Sequence, residues 1–303
     1  MTTVAVLGAS GFIGQAVAGA LESRGADVMA LSAPRVATSA RSLDDLRLEL
    51  ASGRVTRVID RLREQLLGAA RVVNAAGVPS AGAALDDALM GANALLPAVV
   101  EAARPNGSRL VHISSAAVQG RRDVLDEAWE WEPFSPYSTA KASGEQLLQG
   151  RDDTAVYRPT SVHGAGRQVT RSLVRLLTSP LASVAGEGDR PTPQVLVENV
   201  GDAVAHVTLT SDVPPPVVLH PSEGLTTAEL VRLVGGREPV HVPEAVARAI
   251  VRGAAVLGRV SGPAAALGRR IDMLWWGQGQ VAGWLADRWT APLGHEAWRR
   301  LRE

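Results

Sequence analysis

Val4-Ala5-Val6-Leu7-Gly8-Ala9-Ser10-Gly11-Phe12-Ile13-Gly14 decides how the rest of this 303-residue chain is read. Its first four residues form a short continuous apolar run, the pattern of a strand buried on both faces of a parallel sheet. Glycines then recur at every third position. Beyond them Gln15 to Arg24 has helical spacing, with Ile13, Val17 and Leu21 on one side and Gly25 to stop it. Strand, glycine turn and helix in that order describe a dinucleotide site. The glycines permit a tight turn and close approach of a pyrophosphate, and the helix N-terminus offers free N–H groups and a partial positive charge. Gly8, Ser10, Gly11, Phe12, Ile13 and Gly14 are therefore expected to hold a cofactor.

Asp27 to Ser32 reads as the second strand. A carboxylate at its end would hold a ribose 2′-hydroxyl, but Ser32-Ala33-Pro34-Arg35 follows instead. Ser32 and Arg35 join the expected cofactor site, and because Arg35 can pair with a 2′-phosphate, NADP is expected ahead of NAD. From Ser42 to Leu67 the text is helix-like and rich in arginine, without a clear third strand; Val36, or Val55 to Ile59, are the candidates. Arg71-Val72-Val73 then runs into Asn74-Ala75-Ala76-Gly77, small residues of the kind that flank a flat bound ring. A helix around Asn93 to Ala103 precedes the strand Arg109 to Ile113, which delivers Ser114 and Ser115 to its carboxyl end, where ligands of an open α/β sheet lie.

Ser135-Pro136-Tyr137-Ser138-Thr139-Ala140-Lys141 contains the only lysine of the chain and one of its two tyrosines. A chain that otherwise uses arginine keeps one compact, titratable ammonium here. Ser135 can cap a helix, Pro136 suits its first position and Gly150 is placed to end it. Tyr137 and Lys141 would share a face one turn apart, where an ammonium favours phenolate and lowers a pKa that starts near ~10. The competing reading is an exposed helix with an ordinary lysine.

Length and a 46% hydrophobic composition suit one large domain or a main domain with a smaller lobe. Acidic and basic residues balance at 31 each, so there is no electrostatic footprint for nucleic acid, and a small-molecule substrate is expected. The absence of cysteine excludes disulfides, thiolate metal sites and cysteine nucleophiles, which accords with a cytoplasmic location; no metal site is expected. Met1-Thr2-Thr3 runs into the first strand without a basic segment, so it does not read as a signal peptide. The most apolar late stretch, Val246 to Leu267, is broken by Arg248, Arg252 and Arg259, so no transmembrane segment is expected.

Taken together, Gly8-x-x-Gly11-x-x-Gly14, Asn74-Ala75-Ala76-Gly77, Ser114-Ser115-Ala116-Ala117-Val118-x-Gly120, Tyr137-x-x-x-Lys141 and Tyr157-Arg158-Pro159 resemble the extended short-chain dehydrogenase/reductase family, its nucleotide-sugar epimerase, dehydratase and ketoreductase group. The resemblance implies an α/β fold, a Rossmann-type doubly wound parallel sheet with a smaller mixed α/β C-terminal substrate lobe. It places the dinucleotide-binding domain at residues 1–165 and the lobe mainly at 166–303, with a segment near 194–210 returning to the first domain. It makes Tyr137 the general acid/base, Lys141 the residue that lowers its pKa and holds the nicotinamide ribose, and Ser115 a partner of the reacting oxygen. Ser114 and Asn93 would be structural, and Pro159 and Ser161 would line the nicotinamide. The implied partners are a small-molecule substrate, a nucleotide sugar in this group, and a second copy of the chain in a homodimer.

Function follows in three versions. The leading one is an NAD(P)H-dependent reductase of a ketone on a nucleotide-activated deoxysugar. An NAD-dependent nucleotide-sugar epimerase would use the same residues, and a dinucleotide-binding sensor or scaffold would keep the fold without turnover. A 4,6-dehydratase is disfavoured because Ser115-Ala116-Ala117 stands where that subgroup has Thr-Asp-Glu. His163 occupies a position where tyrosine is more usual, and its role is left open. Arg167 and Arg171 are candidates for a diphosphate. The acidic segment Asp123 to Pro133, with Trp129 and Trp131, receives no role. Trp275, Trp276, Trp284, Trp289 and Trp298 crowd the C-terminus, where core packing, a pocket wall, a subunit contact and a membrane surface compete as explanations.

Overall fold

In chain order, β1 (Thr3–Leu7) leads through the glycine turn into α1 (Phe12–Ser23) and β2 (Asp27–Leu31). α2 (Leu43–Leu50) and α3 (Gly53–Gln65) carry the chain to β3 (Arg71–Asn74). α4 (Asp87–Met90) widens into one π turn over Gly91–Leu95 and continues as α5 (Leu96–Ala103), followed by β4 (Arg109–Ile113), β5 (Val124–Leu125), α6 (Pro136–Leu148) and β6 (Thr154–Arg158). The later part comprises β7 (Ser161–His163), α7 (Gln168–Thr178), β8 (Ser183–Ala185), β9 (Gln194–Leu196), α8 (Val197–Leu209), β10 (Val217–Leu219), α9 (Thr227–Leu230), β11 (Val240–Val242), α10 (Glu244–Leu257) and β12 (Gly279–Gln280). The computed structural model describes residues 1–78, 84–257 and 271–302.

Six strands form one parallel sheet in the order β10-β6-β4-β3-β1-β2. Val4 to Leu7 are fully buried, as the continuous apolar run requires, because helices cover both faces. One face packs on α1 and α8 through Val17, Leu21, Val200 and Val204. The other packs on α3, α5 and α6 through Ile59, Leu62, Val99 and Leu147. This is the doubly wound α/β architecture. A separate cluster around Leu177, Val184, Leu230, Val234 and Trp298 gathers α7, β8, α9 and the C-terminal turns. Among the described residues no helix is long and apolar enough to cross a membrane.

Among the described residues neither candidate for a third strand joins the sheet, which ends on β2. Val55 and Ile59 lie instead on the buried side of α3, where Val55, Ile59 and Leu62 follow helical spacing and Ser52 caps the first turn by accepting from Val55 N at 3.3 Å. Val36 is buried in an irregular segment under the π turn; a Cβ on Gly91 would stand 1.8 Å from Val36 O. In the segment near 194–210 the strand is short. β9 ends at Leu196 because the Glu223 carboxylate takes Leu196 N at 2.7 Å and Asn199 Nδ2 at 2.9 Å, turning the chain into α8.

The glycine turn has a steric logic. Gly8 sits at φ 77°, and its amide donates to Leu31 O at 2.9 Å. Gly14, one turn into α1, lies so near that a Cβ would fall 2.0 Å from Gly8 O. Gly14→Ala is therefore expected to abolish dinucleotide binding in a fluorescence titration and to lower the thermal midpoint. Gly19→Ala on the same helix meets nothing within 4 Å and should instead stabilise by about 0.5–1 kcal/mol.

Candidate active site

α6 begins where the sequence places it. Ser135 Oγ accepts from Ser138 N at 3.2 Å and Ser138 Oγ accepts from Ser135 N at 3.0 Å, a reciprocal capping box with Pro136 in the first turn. The helix ends at Leu148, and Gly150 follows at φ 76°. Lys141 is buried, and its Nζ donates to Ile113 O at the end of β4 at 2.9 Å. Burial lowers its pKa to about 8, against the pull of Glu145. A Cβ on Gly77 would stand 3.3 Å from this Nζ and 2.7 Å from Asn93 Oδ1, so the loop after β3 passes directly over the lysine. Asn93 clamps that loop by accepting from Val78 N at 3.0 Å and donating to Val78 O at 3.1 Å.

The phenol of Tyr137 departs from the sequence expectation. Burial raises its pKa, while the Ser115 hydroxyl and the Arg167 guanidinium draw it back down. Lys141 is directed to the Ile113 carbonyl and not to the phenol. Ser115 Oγ accepts from Ala117 N at 3.2 Å, which holds it at the start of the turn after β4. Tyr137, Ser115, Thr160 and Ser161 line one side of a cavity of about 880 Å³. The facing wall comes from distant segments: Arg121 and Asp123, Arg190, Arg248 and Arg252 of α10, and Asp272, Trp276 and Gln278. The Arg248 guanidinium lies 4.7 Å from the centre of the Trp276 ring. Sequence reasoning did not find this wall; the one signal available was the four-residue spacing of Arg248 and Arg252 on a helix.

The remaining expected residues collect at the carboxyl ends of β1, β2, β3 and β6. Ser10 and Gly11 are exposed in the glycine turn, and α1 has no side-chain cap at its N-terminus, which leaves its first amides available to a phosphate. Phe12 and Ile13 open α1. Ser32 and Arg35 are exposed just beyond β2. Asn74 is fully buried, accepting from Ala76 N at 3.2 Å and facing His112 Nδ1 at 3.2 Å, so Ala75, Ala76 and Gly77 leave β3 in a fixed turn. Pro159 is buried, and its carbonyl accepts from Ala116 N at 2.9 Å. A glycine cradle, free helix amides and small residues over the lysine fit a bound dinucleotide.

Several other residues settle into structural roles. His163 is buried between Thr170 and Gln194 and does not line the cavity; burial lowers its pKa to about 4. Arg171 is exposed and donates to Gly166 O at 2.9 Å, and Arg167 folds back over Phe12, so neither lines the cavity. Trp298, fully buried, donates to Glu223 at 2.9 Å; Trp289 donates to Asp202 at 2.7 Å; Trp275 donates to Ser183 O at 3.0 Å. Trp284 packs against the α1 and α8 side of the sheet, leaving Trp276 as the tryptophan of this group in the cavity wall. In the acidic segment, Glu127 takes the backbone amides of Leu219 and Trp284 at 3.0 Å and so ties the C-terminal turns to the sheet.

Beneath Lys141 lies an ion pair with no exposed side-chain surface on either partner. Arg158 donates through Nε and Nη2 to the two oxygens of Glu145 at 3.1 and 2.6 Å, and through Nη1 to Ala128 O at 2.8 Å. Trp131 Nε1 completes the set on Glu145 at 2.8 Å.

The site and sheet define an NAD(P)-dependent enzyme of the extended short-chain dehydrogenase/reductase type. The chain belongs to the NAD dependent epimerase/dehydratase family, whose model matches residues 4–212. It is 29% identical over 259 residues to the dTDP-6-deoxy-L-talose 4-dehydrogenase (NAD(P)(+)) of Kitasatospora kifunensis, covering 76% of this chain and 77% of that one. Among solved structures, a human epimerase family protein with NADPH superposes with a TM-score of 0.65 at 19% identity over 99% of both chains. The dTDP-4-dehydrorhamnose reductase of Bacillus anthracis in complex with NADP gives 0.58 at 19% identity, over 81% of this chain and 86% of that one. These structures share the fold.

Removing one partner of the buried pair strands a charge. Glu145→Gln or Arg158→Met is expected to cost about 3–5 kcal/mol in urea unfolding, and Glu145→Leu combined with Arg158→Met to recover part of that loss.

Proposed function

We propose that the chain is an NADPH-dependent reductase that converts a ketone on a nucleotide-activated deoxysugar to an alcohol, with Tyr137 as proton donor. One observation carries the reading: Tyr137 and Ser115 stand together on the cavity wall, where a phenol kept in its neutral form by desolvation and a hydroxyl beside it can both donate to one carbonyl oxygen. The exposed Arg35 beyond β2, with no carboxylate there, supports the phosphorylated cofactor. The likeness to a dTDP-deoxysugar 4-dehydrogenase supports the substrate class.

In this reading Ser115 and Tyr137 hydrogen-bond the carbonyl oxygen and polarise it. The nicotinamide supplies hydride to the carbonyl carbon when bound. Tyr137 then delivers its proton to the same oxygen. Lys141 holds the nicotinamide ribose, and the turn from Gly8 to Gly14 receives the pyrophosphate. Arg190 and Arg248, which share Glu244 at 3.9 and 3.3 Å, line the outer cavity together with Arg121 and Arg252, guanidiniums of the kind that pair with a sugar diphosphate.

NADPH oxidation should be measured with dTDP-4-keto-6-deoxyhexoses. Tyr137→Phe is expected to lower kcat by ~10²–10⁴. Because the donor must be protonated, the raised phenol pKa predicts kcat/KM that holds through neutral pH and declines only on the alkaline side. Lys141, at about 8, loses its charge earlier, so KM for NADPH should begin to rise above that pH. Purification with tightly held, non-exchanging NAD and no oxidation of NADPH would assign the epimerase chemistry instead. Full turnover by Tyr137→Phe would remove the tyrosine from the mechanism.

A further inference from the structure

β7 and β9 lie side by side in parallel, Ser161 opposite Gln194 and His163 opposite Leu196. Side chains two apart on a strand share a face, so Ser161, His163 and Gln194 meet there. The imidazole is buried, and the Trp298 ring packs 6.0 Å from it, centre to centre. Its Nε2 lies 2.5 Å from Gln194 Oε1 and 3.0 Å from Ser161 Oγ, and its Nδ1 lies 3.2 Å from Thr170 Oγ1.

Counting hydrogens fixes the direction of each bond. Gln194 Oε1 can only accept, so the nitrogen facing it carries a hydrogen. Thr170 Oγ1 already accepts from Gly164 N at 3.1 Å and has its own hydrogen to give to Nδ1. Burial lowers the pKa of the ring to about 4, so at neutral pH it holds one hydrogen, on Nε2. Ser161 Oγ therefore accepts from Nε2 and cannot donate back to it. The serine hydrogen has no acceptor among the described residues, and Ser161 lines the cavity that holds Tyr137 and Ser115.

We infer that His163 is a positioning residue acting through Ser161, whose hydroxyl it fixes as a hydrogen-bond donor to an oxygen of the substrate. The identity of that substrate rests on the proposed function; the orientation of the hydroxyl does not. Substrate is favoured over cofactor by the lining of the cavity. None of the residues from Gly8 to Gly14 or from Asn74 to Gly77 borders it, whereas Arg190, Pro191 and Pro193 beside β9 do. A hydroxyl already turned in the bound direction loses less rotational freedom when the substrate arrives.

The tautomer is read first, without substrate. Proton–nitrogen correlation NMR of histidine-labelled protein, with the His163 signals identified by their loss in His163→Gln, should show hydrogen on Nε2 at neutral pH. Hydrogen on Nδ1 overturns the inference.

In NADPH oxidation with dTDP-4-keto-6-deoxyhexoses, Ser161→Ala is expected to raise KM for the ketone about three- to tenfold, with KM for NADPH unchanged. His163→Leu frees the hydroxyl to turn inward and should do the same, and the two substitutions together should do no more than either alone. His163→Gln, whose amide can donate from the place of Nε2, should bring KM back towards that of the unaltered chain, which a packing role would not require. Thermal midpoints report whether each variant is folded; if His163→Leu is not, Ser161→Ala, His163→Gln and the tautomer carry the test. An unmoved ketone KM in Ser161→Ala overturns the inference. A rise confined to KM for NADPH also overturns it and assigns the hydroxyl to the nicotinamide. Additive effects of the two substitutions break the link between His163 and Ser161. If the unaltered chain turns over none of these ketones, the proposed function falls, and the tautomer still decides the orientation of Ser161.

Discussion

Glu145 and Arg158 carry opposite charges at positions with no solvent exposure, and the geometry of the site hangs on that pair. Glu145 lies one turn beyond Lys141 on α6, and Arg158 ends β6, so the pair pins the helix bearing Tyr137 and Lys141 to that strand of the sheet. Burying two ions is expensive, and here both oxygens of the carboxylate and all three guanidinium nitrogens have partners. Those partners include Ala128 O and Trp131, so the acidic loop between β4 and α6 is fixed by the same pair. Apolar side chains could fill this space, but they would not fix the helix in rotation or in height over Ile113 O.

That placement sets the electrostatics of the cleft. Lys141 is a buried ammonium whose hydrogen bond goes to a carbonyl, so desolvation dominates and its pKa falls. Tyr137, one turn earlier and facing the cavity, has its neutral form favoured by the same desolvation. The two groups are neighbours on a helix face, yet they answer to different surroundings. The arginines on the opposite wall come from α10 and from loops far away in the sequence, so one cavity joins the edge that carries Ser115 and Tyr137, built by the first half of the chain, to an arginine-lined wall built largely by the second.

Close approach of backbone is the other constraint. Gly14 against Gly8 O, Gly91 against Val36 O and Gly201 against Ala16 each occupy a place where a Cβ would stand 2.6 Å or less from main-chain atoms. The second explains the absent third strand. The segment after β2 is held down by a π turn rather than paired into the sheet, and α2 and α3 take the length that a strand crossover would have used. The third draws α8 onto α1, although α8 follows α7 and β8 in the chain.

The sequence by itself determined the parallel sheet, the glycine turn, the cap and face of α6, and the arrival of Ser115 at a strand's carboxyl end, because local periodicity and turn chemistry specify each of these. It could not show which atom the Lys141 ammonium would meet, since Ile113 O is a main-chain group twenty-eight residues away. Nor could it separate Trp276, which faces the cavity, from Trp275 beside it, which is committed to Ser183. Arg167 looked like a surface ligand for a diphosphate until the fold brought Phe12 beneath it. Only tertiary structure decides such matters, because burial and the direction of a long side chain depend on elements that sequence spacing does not bring together.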